Sequence, residues 1–298
     1  MTATVSRPVR RRLRSLPWSA LKGIVLAAAC IAVIIPFVMV VSTSLAAPDQ
    51  VNAAGGFVLW PDHPSFDAYE AILSGGTVTR AVVISIGITV VGTAVSLACT
   101  ATLAYALSRP GSFAHKPILL MVLFTLLFSP GIIPTYLVVD QLGLIDSWWS
   151  LILPVAVNAF NVIIMRAFFM DLPPDLIESA RLDGAGEIRI FLRIVLPLSG
   201  AVLAVVGLFY AVSYWNSFFN ALLYLNDTSM WPLQLILRTY VINGSPLGTD
   251  SGSSEVAQLP QQSLQMAILV LSIIPILLVY PFLQRHFAKG VLVGAVKG

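Results

Sequence analysis

The chain is 298 residues long, 57% hydrophobic and only 10% charged, with a formal net charge of +3 and a mean hydropathy of +0.88. Soluble domains carry roughly a quarter charged residues, so this composition excludes a water-soluble globular protein and predicts an integral membrane protein. Six of the 17 Lys and Arg residues (Arg7, Arg10, Arg11, Arg12, Arg14 and Lys22) precede residue 23 and run straight into an apolar stretch, which argues against a nucleic-acid surface.

Residues Ile24 to Leu45 form an uncharged run of 22, long enough for a transmembrane helix and too long for the apolar middle of a cleaved signal peptide. Val51 to Arg80 is polar, with Gly55-Gly56, Pro61, Pro64 and a short helix expected over Phe66 to Leu73. The second span is Ala81 to Leu107. The third, Pro117 to Val139, is interrupted by Pro130-Gly131 and Pro134, breaks that membranes accept where the backbone faces protein or water. Trp148 to Phe169 is the fourth, Leu198 to Leu225 the fifth, and Leu264 to Gln284, with Pro275 and Pro281, the sixth. The expected architecture is all-α. Residues 1–23 form a basic tail, 24–284 a six-helix transmembrane domain, and 285–298 a C-terminal tail. Cys30 and Cys99 fall inside apolar runs and read as small hydrophobes. The Gly/Ser-rich GSPLGTDSGSSE before the sixth span is expected to be mobile.

Between the fourth and fifth spans lies DLPPDLIESARLDGAGEIRIFLRIVLP, residues 171–197. Asp171, Asp175, Glu178, Asp183 and Glu187 interleave there with Arg181, Arg189 and Arg193. Pro173 and Pro174 suit a first helical turn. Leu176, Ile177 and Ala180 recur at helical spacing, with Asp175, Glu178 and Arg181 on the other side. Gly184 and Gly186 break that helix. Ile188, Phe191, Ile194 and Val195 lay out a second stripe, which Pro197 stops. The prediction is a helix–turn–helix that lies on the membrane surface or docks on a partner.

Charge sets the orientation. The N-tail, Arg109–Lys116, Arg166–Arg193 and the C-tail hold 15 of the 17 Lys and Arg, leaving Arg80 and Arg238 on the other side. By the positive-inside rule both termini are cytoplasmic. No ionisable side chain sits in the middle of a predicted span, which argues against proton-coupled transport, an ion pump or a voltage sensor. There is no His/Glu metal constellation and no nucleophile with a nearby base. The C-terminal GVLVGAVKG lacks the ending of a phosphate loop, so ATP, if used, binds another chain.

The fifth span ends in YAVSYWNSFFN, residues 210–220. Two readings stand open for it. One is an interfacial aromatic belt, which suits Tyr224 and Trp231. The other is a sugar path: rings stack on the apolar face of a pyranose and amides pair with its hydroxyls. On that second reading Trp215, Asn216 and Asn220 line the path, with Tyr214 and Phe218 as supporting wall. A straight helix of about 25 residues, about 38 Å long, would put Trp215, Phe219 and Leu222 on one face and Asn216 and Asn220 on the next.

The loop also resembles a known motif. Glu178-Ser179-Ala180, Asp183-Gly184-Ala185, Phe191, Ile194 and Leu196-Pro197 are similar to the EAA loop of bacterial ABC importer permeases, with Ser179 where that family usually has Ala. Ala104 to Arg109 resembles the sugar-importer permeases at this position. The run NVIIMRAFFMDLPPDLIESARLDGAGE, the WNSFF segment, MWPLQLILR and the C-terminal residues resemble a branch of the maltose-permease-like carbohydrate family associated with complex oligosaccharides, alduronate-type fragments included.

What the resemblance implies is an ABC type I importer permease-like fold in the bacterial cell membrane. Glu178, Ser179, Ala180, Asp183, Gly184, Ala185, Phe191, Leu196 and Pro197 would form a coupling helix seated in a groove of a separate ATPase subunit. The implied partners are a second homologous permease, two ATPase subunits, an extracellular solute-binding protein, membrane lipid and a carbohydrate, with no nucleic acid. ATP and Mg would bind the ATPase, and this chain would bind no cofactor and catalyse no reaction. The EAA loop alone does not choose a substrate, so a polyamine or phosphonate importer, or a non-transporting assembly protein, stays open.

Overall fold

The structure, a computed structural model, describes residues 16–74, 76–109, 111–242 and 259–295. Arg7 to Arg14 of the basic tail, the GSPLGTDSGSSE segment and residues 296–298 lie outside the described residues. The chain is helical. It opens with α1 (Leu16–Ser44), α2 (Pro48–Ala53), α3 (Asp67–Leu73) and α4 (Thr77–Ser108). It continues through α5 (His115–Leu127), α6 (Ile132–Gln141), α7 (Trp149–Ile152) and α8 (Ala159–Met170). The central loop holds α9 (Pro174–Leu182), α10 (Glu187–Ile190) and α11 (Leu196–Leu198), followed by α12 (Gly200–Trp215), α13 (Phe219–Tyr224), α14 (Leu233–Ile242) and α15 (Gln261–Ala295). Among the described residues the one strand-like feature is an isolated bridge, Ala46 with Pro64.

Three stretches are long and apolar enough to cross a membrane unaided: Ala20–Ser44, Thr77–Ser108 and Gln261–Pro281. The expected fourth span is bent by 53° between Trp149–Val155 and Ala159–Met170. The expected third is split into α5 and α6 at Phe128 to Gly131, where Gly131 takes φ +84°.

The fifth span is not the single straight helix expected. Glu187–Leu198 and Gly200–Trp215 meet at 83°. Pro197 has no N–H to give the carbonyl of Arg193, and Phe191–Val195 widens into a π-helical turn just before it. A second break follows Trp215. Asn216 sends both its backbone N–H (3.1 Å) and its side-chain amide (2.8 Å) to the carbonyl of Val212. Ser217 then turns back to Tyr214, and α13 starts afresh at Phe219. The predicted shared faces therefore do not form: Trp215 is buried while Phe219 and Leu222 are exposed.

Helix α4 is the centre of the bundle, packed on α12, α8 and α14. Its seam with α12 is made of small and hydroxyl residues, which let backbones approach where hydrocarbon gives no hydrophobic drive. Gly92 faces the Tyr214 ring and Gly207 faces Leu97. Ser96 bonds the Tyr214 hydroxyl and Thr100 that of Tyr210, each at 2.7 Å. A second cluster, of Ala68, Ile72, Trp215, Leu233, Ile236 and Ile268, joins α3, α14 and α15. At the edge, α1 leans on α15 and exposes Ile24, Leu26, Val33 and Ile34, an apolar surface suited to lipid.

One polar clamp joins distant loops. Asp146, at φ +56°, accepts the backbone N–H of Asn226 and, at 3.2 Å, that of Asp227. These bonds hold its carboxyl below the usual range and tie the α6–α7 connection to the end of α13.

Candidate functional site

The central loop is built as expected up to Gly184. Pro173 and Pro174 open α9, and Gly184 closes it at φ +79°. The N–H of Ala185 bonds the carbonyl of Ala180 (2.9 Å), and that of Gly184 bonds Arg181 (3.0 Å). This is a Schellman closure, in which the residues flanking the cap make an apolar contact. Ala180 and Ala185 fill that role, both packed against the main core. The spacing of Ala180, Gly184 and Ala185 is thus the requirement of one tight turn.

The underside of the loop is Ile177, Ile190, Phe191 and Val195, all buried. Ile188 does not join that stripe: it is 76% exposed, and the buried face runs instead from Ile190 and Phe191 across the π turn to Val195. Ile194 and Leu196 are half-buried and Pro197 is exposed. The outer surface carries Leu182, 89% exposed, and Ile188, with Glu178, Ser179 and Asp183 also exposed. Large apolar side chains thus stand exposed among acids on a short turn.

Glu187, which its charge alone did not single out, fastens the loop to α4. Its carboxylate accepts the Tyr105 hydroxyl at 2.7 Å and the Arg181 guanidinium at 2.6 Å. The Arg109 guanidinium lies 4.8 Å from the Tyr105 ring centroid, and the Tyr105 and Phe191 rings are 4.8 Å apart. The Tyr105 hydrogen bond, helped by Arg181 and opposed by partial burial, holds the Glu187 carboxyl below its ordinary value. The carboxylate partnership is therefore complete at neutral pH and is lost only as pH falls through that lowered value.

The second half of the site lies where the fourth and fifth spans break. Tyr210 accepts the N–H of Asn158 (2.9 Å), and Tyr214 donates to the carbonyl of Ile152 (3.3 Å). Two α12 hydroxyls thus satisfy backbone that the α7–α8 bend leaves open. Asn158 also caps α8 through the N–H of Asn161. Two cavities open beside this join. One, of about 200 Å³, is walled by Tyr214, Asn216, Phe218 and Asn220, with Ser213 and Phe219 among its other linings. The other, of about 340 Å³, shares Val155, Ser213 and Tyr214 with it and adds Asn158, Asn161 and Phe209.

Four of the five residues assigned to a path, Tyr214, Asn216, Phe218 and Asn220, are thus brought to one cavity wall. Trp215 is not. It is buried against α14 and α15, and its indole N–H donates to the carbonyl of Ser272 at 2.9 Å. Asn158 and Asn161 went unnoticed in the sequence, although two amides three apart inside an apolar run were a readable signal. No group of three or more potential metal ligands occurs among the described residues.

Residues 100–293 match the family described as "Binding-protein-dependent transport system inner membrane component". Over 266 residues the chain is 47% identical to the polygalacturonan/rhamnogalacturonan transport system permease protein YtcP of Bacillus subtilis (strain 168), covering 89% of this chain and 93% of that one. It is 48% identical over 265 residues to Protein LplC of the same organism, covering 89% and 90%. A chain in the crystal structure of a bacterial ABC transporter involved in the import of the acidic polysaccharide alginate superposes with a TM-score of 0.84 at 29% identity, covering 94% of this chain and all of that one.

Proposed function

This chain belongs to the binding-protein-dependent transport system inner membrane components, and we propose that within that family its cargo is an oligosaccharide released from a complex polysaccharide. It is a multi-pass permease subunit of an ABC importer, with the type I permease fold, and not itself an ATPase. The observation that carries the cargo reading is the wall of the smaller cavity. Rings (Tyr214, Phe218, Phe219) stand beside neutral amides (Asn216, Asn220). That pairing suits a solute with apolar pyranose faces and many hydroxyls. The substrates named for YtcP and for the alginate importer favour the same class.

The reading extends to coupling. The loop docks on an ATPase subunit through Leu182, Ile188 and the acids around them. Glu187–Leu198 and Gly200–Trp215 then form one bent lever that ends at the cavity wall. A second permease, two ATPase subunits that hold ATP and Mg, and an extracellular solute-binding protein complete the assembly. ATP closes the ATPase pair, the loop moves with it, and the hinge at Ser199 turns that motion toward the cavity. Six spans with both termini cytoplasmic fit the charge distribution, counting α5–α6 and each bent pair as one span. Glu178→Cys should label only from the ATPase side and Asp67→Cys only from outside; labelling of Asp67→Cys solely from the ATPase side would reverse the orientation.

The path is tested with Asn216→Leu. Asn216 is exposed, and the change removes a side-chain bond to the Val212 carbonyl (2.8 Å), which keeps the Asn216 backbone N–H (3.1 Å) as a donor. In vesicles holding the assembled importer, oligosaccharide uptake should fall by up to about tenfold, since one hydrogen bond contributes a net ~0.5–1.5 kcal/mol. Subunit assembly and binding-protein-stimulated ATP hydrolysis should persist. Uptake at the wild-type rate would remove Asn216 from the path.

A further inference from the structure

Neutral amides and rings recognise a sugar, but they do not distinguish a neutral sugar from one that carries a carboxylate. The residue placed to do so is Arg238. It is one of only two Lys or Arg residues on the sparsely charged side of the chain. It sits on α14, a helix held firmly in place: Leu235 and Ile236 are buried, the N–H of Leu233 bonds the Ser85 hydroxyl (2.8 Å), and the carbonyl of Tyr240 accepts from Gln265 (2.8 Å). The Arg238 guanidinium carbon lies 4.6 Å from the centroid of the Phe218 ring. Phe218 is itself part of the smaller cavity's wall. Among the described residues the one ion pair is Arg181 with Glu187, so no carboxylate there neutralises Arg238, and its side chain is exposed.

We propose that Arg238 is the charge-reading residue of the path and that the oligosaccharide it admits is acidic, with a uronate carboxylate bound by the guanidinium at the Phe218 end of the cavity. This rests on the carbohydrate reading above and narrows it. A guanidinium stacked on a ring by one face keeps its edge N–H groups free, in the planar fork that matches a carboxylate bidentately. The ring beneath fixes the plane of the fork. The same ring and its T-shaped neighbour Phe219, 6.1 Å away, offer apolar surface to the pyranose that carries the acid. A carboxylate leaving water for a cavity lined by amides and rings needs a counter-charge. Arg238 is the cation stacked on one of its lining rings, Phe218. A single cation engages one carboxylate at a time, so an acidic chain would pass residue by residue rather than be held along its length.

The test uses vesicles holding the full importer and its binding protein, with radiolabelled trigalacturonate and its methyl-esterified, neutral counterpart as probes. The binding protein is the same in every sample, so the change between variants reports the permease. Arg238→Gln should raise the half-saturating concentration of trigalacturonate about tenfold relative to that of the methyl ester. Arg238→Lys should recover much of the loss. Phe218→Leu, which keeps the charge but removes the ring that orients it, should shift the ratio in the same direction by less. An equal change for both probes, or none, would overturn the assignment and leave Arg238 a packing residue. A wild-type importer that takes the methyl ester and refuses trigalacturonate would overturn it while leaving the carbohydrate reading intact. A wild-type importer that takes up neither would overturn the carbohydrate reading and this role together.

Discussion

Gly184→Val should leave the protein in the membrane, strip it of its ATPase partner and abolish uptake. Gly184 adopts φ +79°, and a Cβ built there meets no heavy atom within 4 Å. The penalty is therefore one of backbone conformation, about 1–2 kcal/mol for an L-residue and more for a β-branched one. The chain relieves it by giving up the closure made by the Ala185–Ala180 and Gly184–Arg181 hydrogen bonds. That frees Leu182 and Ile188, the large exposed side chains on either side of the turn. The core beneath, Ile177, Ile190 and Phe191, is untouched, so insertion and folding persist. Gly184→Asn is the control, because Asn tolerates the left-handed region; it should copurify with the ATPase and transport near the wild-type rate. Wild-type uptake by Gly184→Val would mean that the loop is not the lever.

Gly92→Val should act on the fold itself. The added Cβ would lie 2.8 Å from Cε2 of Tyr214. That ring cannot swing aside, since its hydroxyl is held by Ser96 (2.7 Å) and by the carbonyl of Ile152 (3.3 Å). Overpacking of this kind costs about 1–3 kcal/mol, and here it also pulls at the hydrogen bonds that close the α7–α8 break. The expected result is a sharp drop in folded protein recovered from membranes and a clearly lower inactivation temperature in detergent. Gly207→Ala faces the same seam but meets only the end of the Leu97 side chain, at 3.1 Å, and should be far milder. Equal thermal behaviour of Gly92→Val and wild type would show that the α4–α12 contact is looser than drawn.

Much of this was legible in the sequence because the relevant physics is local. Uncharged runs marked the long helices, Pro130-Gly131 marked the break between α5 and α6, and Pro173, Pro174 and Gly184 marked the ends of α9. Tyr214, Asn216, Phe218 and Asn220 were legible as a group because ring and amide chemistry needs no register to be recognised. What the sequence hid depends on partners far along the chain. Trp215 looked like its neighbours, yet its place is decided by Ser272 on α15. Glu187 looked like one acid among five, yet Tyr105, 82 positions earlier, makes it the anchor. The bend at Ser199 follows the stop that Pro197 signalled, but the stop at Asn216 was missed because apolar composition cannot separate one long helix from two. Only the accounting of backbone donors and acceptors around Val212 does so.

The most direct test of the account is ATP-driven uptake by sealed vesicles holding this chain with its sister permease, ATPase subunits and binding protein, with ATP supplied on the ATPase side and labelled trigalacturonate on the other. Accumulation against a gradient is expected, requiring ATP and the binding protein and disappearing with Gly184→Val. Equal filling of the vesicles with and without ATP would contradict it.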